Sequence, residues 1–205
     1  MRTATVQRDT NETKIKLTLD LDHPLRAVET NCGFLNHMLD LFAVHSGFGL
    51  SVDCTGDVEV DFHHTVEDVG IALGQAFSTA IGDKRGIRRY ADIMLPMDET
   101  LILCAVDISG RGYLNYDVEM PSAKVMDGED TVKAKSVGLF DSELVEEFFI
   151  AFCREAKITL HISKMYGKNT HHIIEGIFKA VGRVLGSATR IVSDQIPSSK
   201  GTLSI

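Results

Sequence analysis

Apolar and polar residues alternate from Lys14 to Asp20, with Ile15, Leu17 and Leu19 on one side. A period of two marks a strand with one buried face. The rhythm changes at Gly33–His45 (GFLNHMLDLFAVH), where apolar residues recur at helical spacing. Gly47-Phe48-Gly49 ends that helix. Leu50–Cys54 and Val58–Phe62 read as two short strands around Thr55-Gly56-Asp57. A second helical run starts near His63 and reaches about Ile81. Strands follow at Ile93–Met97, Leu101–Ser109 and Tyr113–Glu119, then a helix at Ser142–Ala156, a strand at Ile158–Ser163, and a last helix from His171 to about Ala188. Pro121–Ser136 (PSAKVMDGEDTVKAKS) breaks this pattern. It is polar, charged and poor in strand formers, and is expected to be a mobile surface loop.

Each half therefore reads strands, helix, strand, helix. The halves also share an unusual word. His63-His64-Thr65-Val66-Glu67 reappears as His171-His172-Ile173-Ile174-Glu175, at the start of the last helix of each half. This predicts an α+β fold built from two duplicated two-layer units, residues 1–90 and 91–205, with helices on one face of mixed sheets and one compact catalytic whole.

A single H-H-x-x-E on a helix is usually a surface or partly buried pair. Two copies in matched context point to metal binding. On a helix the first His and the Glu are four residues apart and share a face, while the second His lies about 100° round. Imidazole and carboxylate together suit a borderline divalent ion. Aligning the halves also places His37 and Glu147 in equivalent positions on the preceding helices, 26 and 24 residues before the first His of each word. A symmetric scheme results. One ion takes His37, His64, His171 and Glu175; the other takes Glu147, His172, His63 and Glu67. Manganese fits such a mixed site, with open positions for substrate; zinc, iron and cobalt fit as well. The ligands of one site come from one chain or from neighbouring subunits. His45, about two turns beyond His37, is a candidate for the same cleft, with a structural histidine as the equal alternative. His161 on a strand reads as structural and His23 as a turn residue.

Composition narrows the classes. Of 205 residues, 44% are hydrophobic, enough for a sizeable core, and no apolar run approaches a membrane span. The N-terminal stretch lacks an apolar signal segment, so a cytoplasmic location is expected. A net charge of −8 argues against nucleic acid and anionic membranes as partners, but not against a small phosphorylated substrate held by a local basic cluster. Cys32, Cys54, Cys104 and Cys153 show no C-x-x-C spacing and read as reduced, buried thiols.

GFLNHMLD (33–40), DFHHTVEDVG (61–70), PMDE (96–99), DISGR (107–111), GKNTHHIIEGIFKA (167–180) and PSSKG (197–201) occur in this order. Together they resemble the imidazoleglycerol-phosphate dehydratase family of histidine biosynthesis over nearly the whole chain. The resemblance implies a ribosomal-S5-like duplicated fold, two manganese ions per active site, and a homo-oligomer of 24 subunits with sites at subunit interfaces. It implies dehydration of imidazoleglycerol phosphate to imidazole-acetol phosphate. Glu12 then matches a substrate-contacting carboxylate and is the candidate for proton handling, with Asp98 or a metal-bound water as alternatives. Glu12, Glu67 and Glu175 are the carboxylates assigned to catalysis. Arg89, Arg111, Ser198, Ser199 and Lys200 match phosphate-binding positions, and His45 and Lys179 join the substrate contacts. Asp98 and Glu99 fit best as supports for metal-binding histidines. The chain departs from the family's pattern at Glu147, where His is frequent, at Asn36, where Asp is frequent and which is expected to bear on His37, and at Gly112. In the mechanism this implies, two metals hold the substrate ring as imidazolate, which expels a hydroxyl from the adjacent carbon. A dinuclear phosphoesterase could use the same ligands, and a binding scaffold or RNA-binding module is the third class weighed. The acidic balance and the lack of an aromatic-basic face oppose that last class.

Overall fold

The computed structural model describes all residues except 122–135, 138–139 and 204–205. The first half contains β1 (Thr3–Asp9), β2 (Thr13–Asp20), β3 (Leu25–Glu29), α1 (Gly33–Ser46), β4 (Gly49–Gly56) and α2 (His63–Ile81). The second contains β5 (Tyr90–Met97), β6 (Thr100–Asp107), β7 (Tyr113–Asp117), the short pair β8 (Ser136–Val137) and β9 (Phe140–Asp141), α3 (Leu144–Ala156), β10 (Thr159–Tyr166) and α4 (Thr170–Ala188). The two four-stranded sheets have one topology. Their orders are β1-β2-β4-β3 and β5-β6-β10-β7, and in each only the last pair is parallel. The fold is thus α+β and duplicated.

The alternation that predicts β2 also buries it. Ile15, Leu17 and Leu19 are at most 4% exposed while Lys14 and Lys16 face solvent. β6 does the same with Ile102, Cys104 and Val106. Burying side chains of this size contributes roughly 1.5–3 kcal/mol each. Two edge strands, β1 and β3, form without a strong apolar signal, because their pairing partner supplies the hydrogen bonds and they bury few side chains. Val58–Phe62 is not a strand. Residues 58–60 form a turn closed by the Val60 amide donating to the Asp57 carbonyl at 2.9 Å, and Val60 is exposed. The segment is needed to swing the chain from β4 into α2. The expected loop Pro121–Ser136 lies, apart from its end residues, outside the described residues.

Helices α1 and α2 cover the first sheet, and α3 and α4 the second. The closest helix pairs nevertheless cross the halves, α1 on α4 and α2 on α3. Two glycines permit this. A Cβ on Gly182 of α4 would lie 2.8 Å from the Phe42 carbonyl oxygen of α1, and one on Gly74 of α2 would lie 2.7 Å from that of Phe152 on α3. These are equivalent contacts of the repeat. Buried phenylalanines knit the helices together: Phe42 meets Phe152 at 6.5 Å between ring centroids, Phe77 meets Phe152 at 6.0 Å, and Phe149 meets Phe178 at 5.0 Å. The crossing brings the second half's H-H-x-x-E word beside the first half's His37.

Candidate active site

Both H-H-x-x-E words open their helices, and each opening is fixed by a side chain two residues ahead of the first His. Asn169 Oδ1 accepts from the amides of His171 at 2.9 Å and His172 at 3.3 Å. Asp61 Oδ1 accepts from the His63 amide at 2.7 Å. Asn169 is the N-cap of α4, while Asp61 stands one residue before the N-cap of α2, and both satisfy donors that the first turn leaves free. The paired rings therefore sit on rigid helix starts, next to the hairpin turns of the sheets.

On α4, His171 Nε2 is 3.2 Å from Glu175 Oε2. His37 of α1 approaches the same carboxylate oxygen at 4.0 Å. One ligand atom from each of His37, His171 and Glu175 lies within 4.8 Å of the others, the only such convergence among the described residues. Glu175 is buried. Burial pushes its carboxyl up, but the ion pair with Lys179, together with His171 and His37, outweighs this and holds it below the usual range. Lys179 also reaches Met97 Sδ at 3.4 Å. Two imidazoles and an ionised carboxylate form a donor set suited to a divalent transition ion.

The equivalent positions on α2 and α3 are more open. His63 Nε2 is 3.8 Å from Glu67 Oε2, and Glu147 is half-buried on α3 but outside any three-residue convergence. The second histidines of the words point elsewhere within the chain. His64 Nδ1 contacts Asp57 Oδ2 at 3.0 Å, and its Nε2 is 3.8 Å from Glu12 Oε1. His172 Nδ1 contacts Glu99 Oε2 at 2.7 Å, and its Nε2 is 3.8 Å from Asp98. Asp57 and Glu99 raise the affinity of these rings for a proton, in each case first through the hydrogen bond. Glu99 in turn is held down at about 2 by His172 and then by the Asn169 amide. A carboxylate on one ring nitrogen orients the other outward, as metal-binding histidines require. The sequence marks Glu99 for this role. Asp57 carries no such mark in the sequence, because it stands in a turn that reads as the link between two strands.

Glu12 and Glu99 are repeat equivalents. Each ends a hairpin turn, β1–β2 or β5–β6, immediately before a buried threonine, Thr13 or Thr100. Glu12 is thereby placed 3.8 Å from a paired-motif histidine and is largely exposed, so it is free to meet a substrate. The hydrogen bonds of the Asn36 side chain run to Thr30 and Glu29, not to the His37 ring. Its Oδ1 accepts from the Thr30 hydroxyl at 2.5 Å and its amide nitrogen donates to Glu29 at 3.3 Å, so it braces the entry to α1 instead.

A cavity of about 350 Å³ lies where β5, the Ser109–Arg111 loop and the C-terminal segment meet. Arg89, Arg111, Ser198, Ser199 and Lys200 all line it, as do Ser109 and Leu203. Residues separated by 87 to 114 positions in sequence are thus gathered around one basic, hydroxyl-rich recess, a chemistry suited to phosphate. Arg89 is largely committed within the protein. Its fork pairs with Asp107 at 2.7 and 3.2 Å, and Nη1 donates to the Pro197 carbonyl at 2.7 Å. His45 lies elsewhere, in a larger cavity with Arg2, Arg183 and Arg190, and His37 is not in its lining. Burial lowers the His45 proton affinity, helped by the charges of Lys179 and Arg183.

Comparison with known proteins decides the family. Imidazoleglycerol-phosphate dehydratase matches residues 30–185. The chain belongs to the imidazoleglycerol-phosphate dehydratase family. The dehydratase of Caldicellulosiruptor saccharolyticus is 52% identical over 203 residues, covering 98% of both chains. That of Oceanobacillus iheyensis is 52% identical over 206 residues, covering 99% of this chain and 100% of its own. The crystal structure of the Staphylococcus aureus dehydratase superposes with a TM-score of 0.78 at 41% identity, over 91% of this chain and 97% of its own. The Pyrococcus furiosus structure, solved in complex with (S)-C348, gives 0.79 at 33% identity, over 96% of this chain and 99% of its own. Family membership places the chain among hydro-lyases. Among the described residues, no helix is long and apolar enough to cross a membrane.

Proposed function

We propose that the protein dehydrates imidazoleglycerol phosphate to imidazole-acetol phosphate, a step of histidine biosynthesis, at a site that uses two manganese ions. The observation that carries this reading is the convergence of His37, His171 and Glu175 across two helices from different halves, in a chain of this family. Two bound manganese ions would hold both ring nitrogens of the substrate and make its imidazole an electron sink as imidazolate. The first ion would take His37, His171 and Glu175, and the second His63, Glu67 and Glu147. His64 and His172 complete the two sets. Within one chain these two rings lie outside the convergence and carry oriented carboxylate partners, which supports completion of each site by a neighbouring copy in a homo-oligomer of 24 subunits.

The chain's own residues do the rest. Glu12 is the proton-handling carboxylate, placed beside His64 at the β1–β2 turn. Arg111, Ser198, Ser199 and Lys200 bind the phosphate, and Arg89 fixes the segment carrying them. Lys179 keeps Glu175 ionised and so ready to accept a cation. The phosphoesterase reading is less favoured, because the phosphate recess and the His37 convergence are lined by separate residue sets. Growth tests the proposal. Expression in a bacterium lacking its own dehydratase should restore growth without histidine, and failure of well-expressed protein to do so would contradict it.

A further inference from the structure

Lys84 is a buried lysine, 6% exposed, in the loop after α2. Buried ammonium groups are costly unless paired. No carboxylate pairs with this one among the described residues. Among the described residues its ammonium donates to the Leu203 carbonyl, at 3.2 Å. That carbonyl is held from the other side as well. Gly110, at φ +84°, packs so closely on it that any Cβ there would collide, and the same Cβ would lie 3.8 Å from Lys84 Nζ. Gly110 separates Ser109 from Arg111, and Leu203 closely follows Ser198, Ser199 and Lys200. All of these but Gly110 line the basic recess.

The loop bearing Lys84 straps the whole C-terminal segment. The Gly86 amide donates to Gln195 at 2.8 Å, the Val192 amide donates to Gly86 at 2.7 Å, and Arg89 holds Pro197. Upstream straps therefore fix residues 191–197, and Lys84 supplies an anchor beyond the serines. Lys84 thus adds a charged hydrogen bond at Leu203, the buried residue that follows the serines.

We propose that Lys84 is a positioning residue for phosphate binding: its ammonium holds the Leu203 carbonyl against Gly110 and so sets the segment that presents Ser198, Ser199 and Lys200. This rests on the reading of the recess as the phosphate site. The buried cation, with no carboxylate partner among the described residues, adds to it, since a dianion arriving in the neighbouring recess offsets the cost of keeping that charge out of water. Burial, then the charge of Lys157, lowers the proton affinity of Lys84.

The experiment uses the assembled, manganese-loaded enzyme and compares Lys84→Met and Lys84→Arg with Arg111→Ala and Lys200→Met. Lys84→Met should raise KM for imidazoleglycerol phosphate about tenfold, the size expected of one lost charge-assisted hydrogen bond. It should weaken competitive inhibition by inorganic phosphate in parallel. Its kcat should stay within about threefold, and inhibition by free imidazole, which lacks the phosphate, should not move. Lys84→Arg, which keeps a cationic donor, should restore KM. Parental KM and phosphate inhibition in Lys84→Met would overturn the proposal, as would a loss confined to kcat. Should Lys84→Met fail to assemble, Lys84→Gln decides by the same two constants, with a smaller increase expected and parental values overturning. If Arg111→Ala and Lys200→Met both behave like the parent, it is the phosphate reading of the recess that fails.

Discussion

His37 Nε2 and Glu175 Oε2 stand 4.0 Å apart across the contact between α1 and α4, although 138 positions separate them in the chain. The gap is too wide for a hydrogen bond. It suits two ligands of one ion, with His171 as the third. His37→Ala should therefore lower manganese affinity by more than the roughly 10–100-fold that loss of a supporting partner costs. Metal content after dialysis against a defined free manganese concentration measures this. Unchanged content would remove His37 from the ligand set.

Glu12 sits beside His64 without a fixed hydrogen bond of its own to that ring. If it moves the proton, Glu12→Gln should reduce kcat by roughly two to four orders of magnitude and leave metal content intact. Full activity in this variant would transfer the role to Asp98 or to a water.

The contacts at Gly74 and Gly182 set how closely the crossed helices approach. Alanine at Gly182 meets the Phe42 carbonyl at 2.8 Å, and at Gly74 the Phe152 carbonyl at 2.7 Å. Backbone cannot yield as a side-chain tip does. Each substitution should cost about 1–3 kcal/mol by thermal or denaturant unfolding. Gly182→Ala should also disturb manganese binding, because it pushes α1, and His37 with it, from α4. A stable Gly182→Ala protein with normal metal affinity would show that the α1–α4 spacing is not critical.

All four cysteines are buried, and burial raises every one of their thiols, Cys54 to about 12. Thiolate is the reactive form. A thiol reagent near pH 8 should label none of them rapidly in the native protein and all four after denaturation. Fast labelling of any native cysteine would mean that its surroundings are looser than described.

Much of this was legible in the sequence, for physical reasons that differ by element. The strong periodicities gave β2, β6 and the four helices, because burial of one face writes itself into residue spacing. The repeated H-H-x-x-E word pointed to the candidate site, and the symmetric ligand scheme grouped His37 with His171 and Glu175, three residues that converge in the structure. The edge strands β1 and β3 left no such trace, since edge pairing asks little of side chains. Val58, Val60 and Phe62 imitated a strand by alternation alone, whereas a turn into α2 is what the connection needs. The swap of helix partners between halves was also invisible, since Gly74 and Gly182 reveal a close approach only when the facing carbonyls are known. Lys84 carries no mark in the sequence beside Arg85, Arg88 and Arg89, and only its burial sets it apart.

The most direct test of the central claim is the reaction itself. The assembled protein is stripped of metal, given manganese, and supplied with imidazoleglycerol phosphate. The account predicts no turnover without metal and manganese-dependent formation of imidazole-acetol phosphate with it. Release of inorganic phosphate instead, or no product with manganese fully bound, would contradict it.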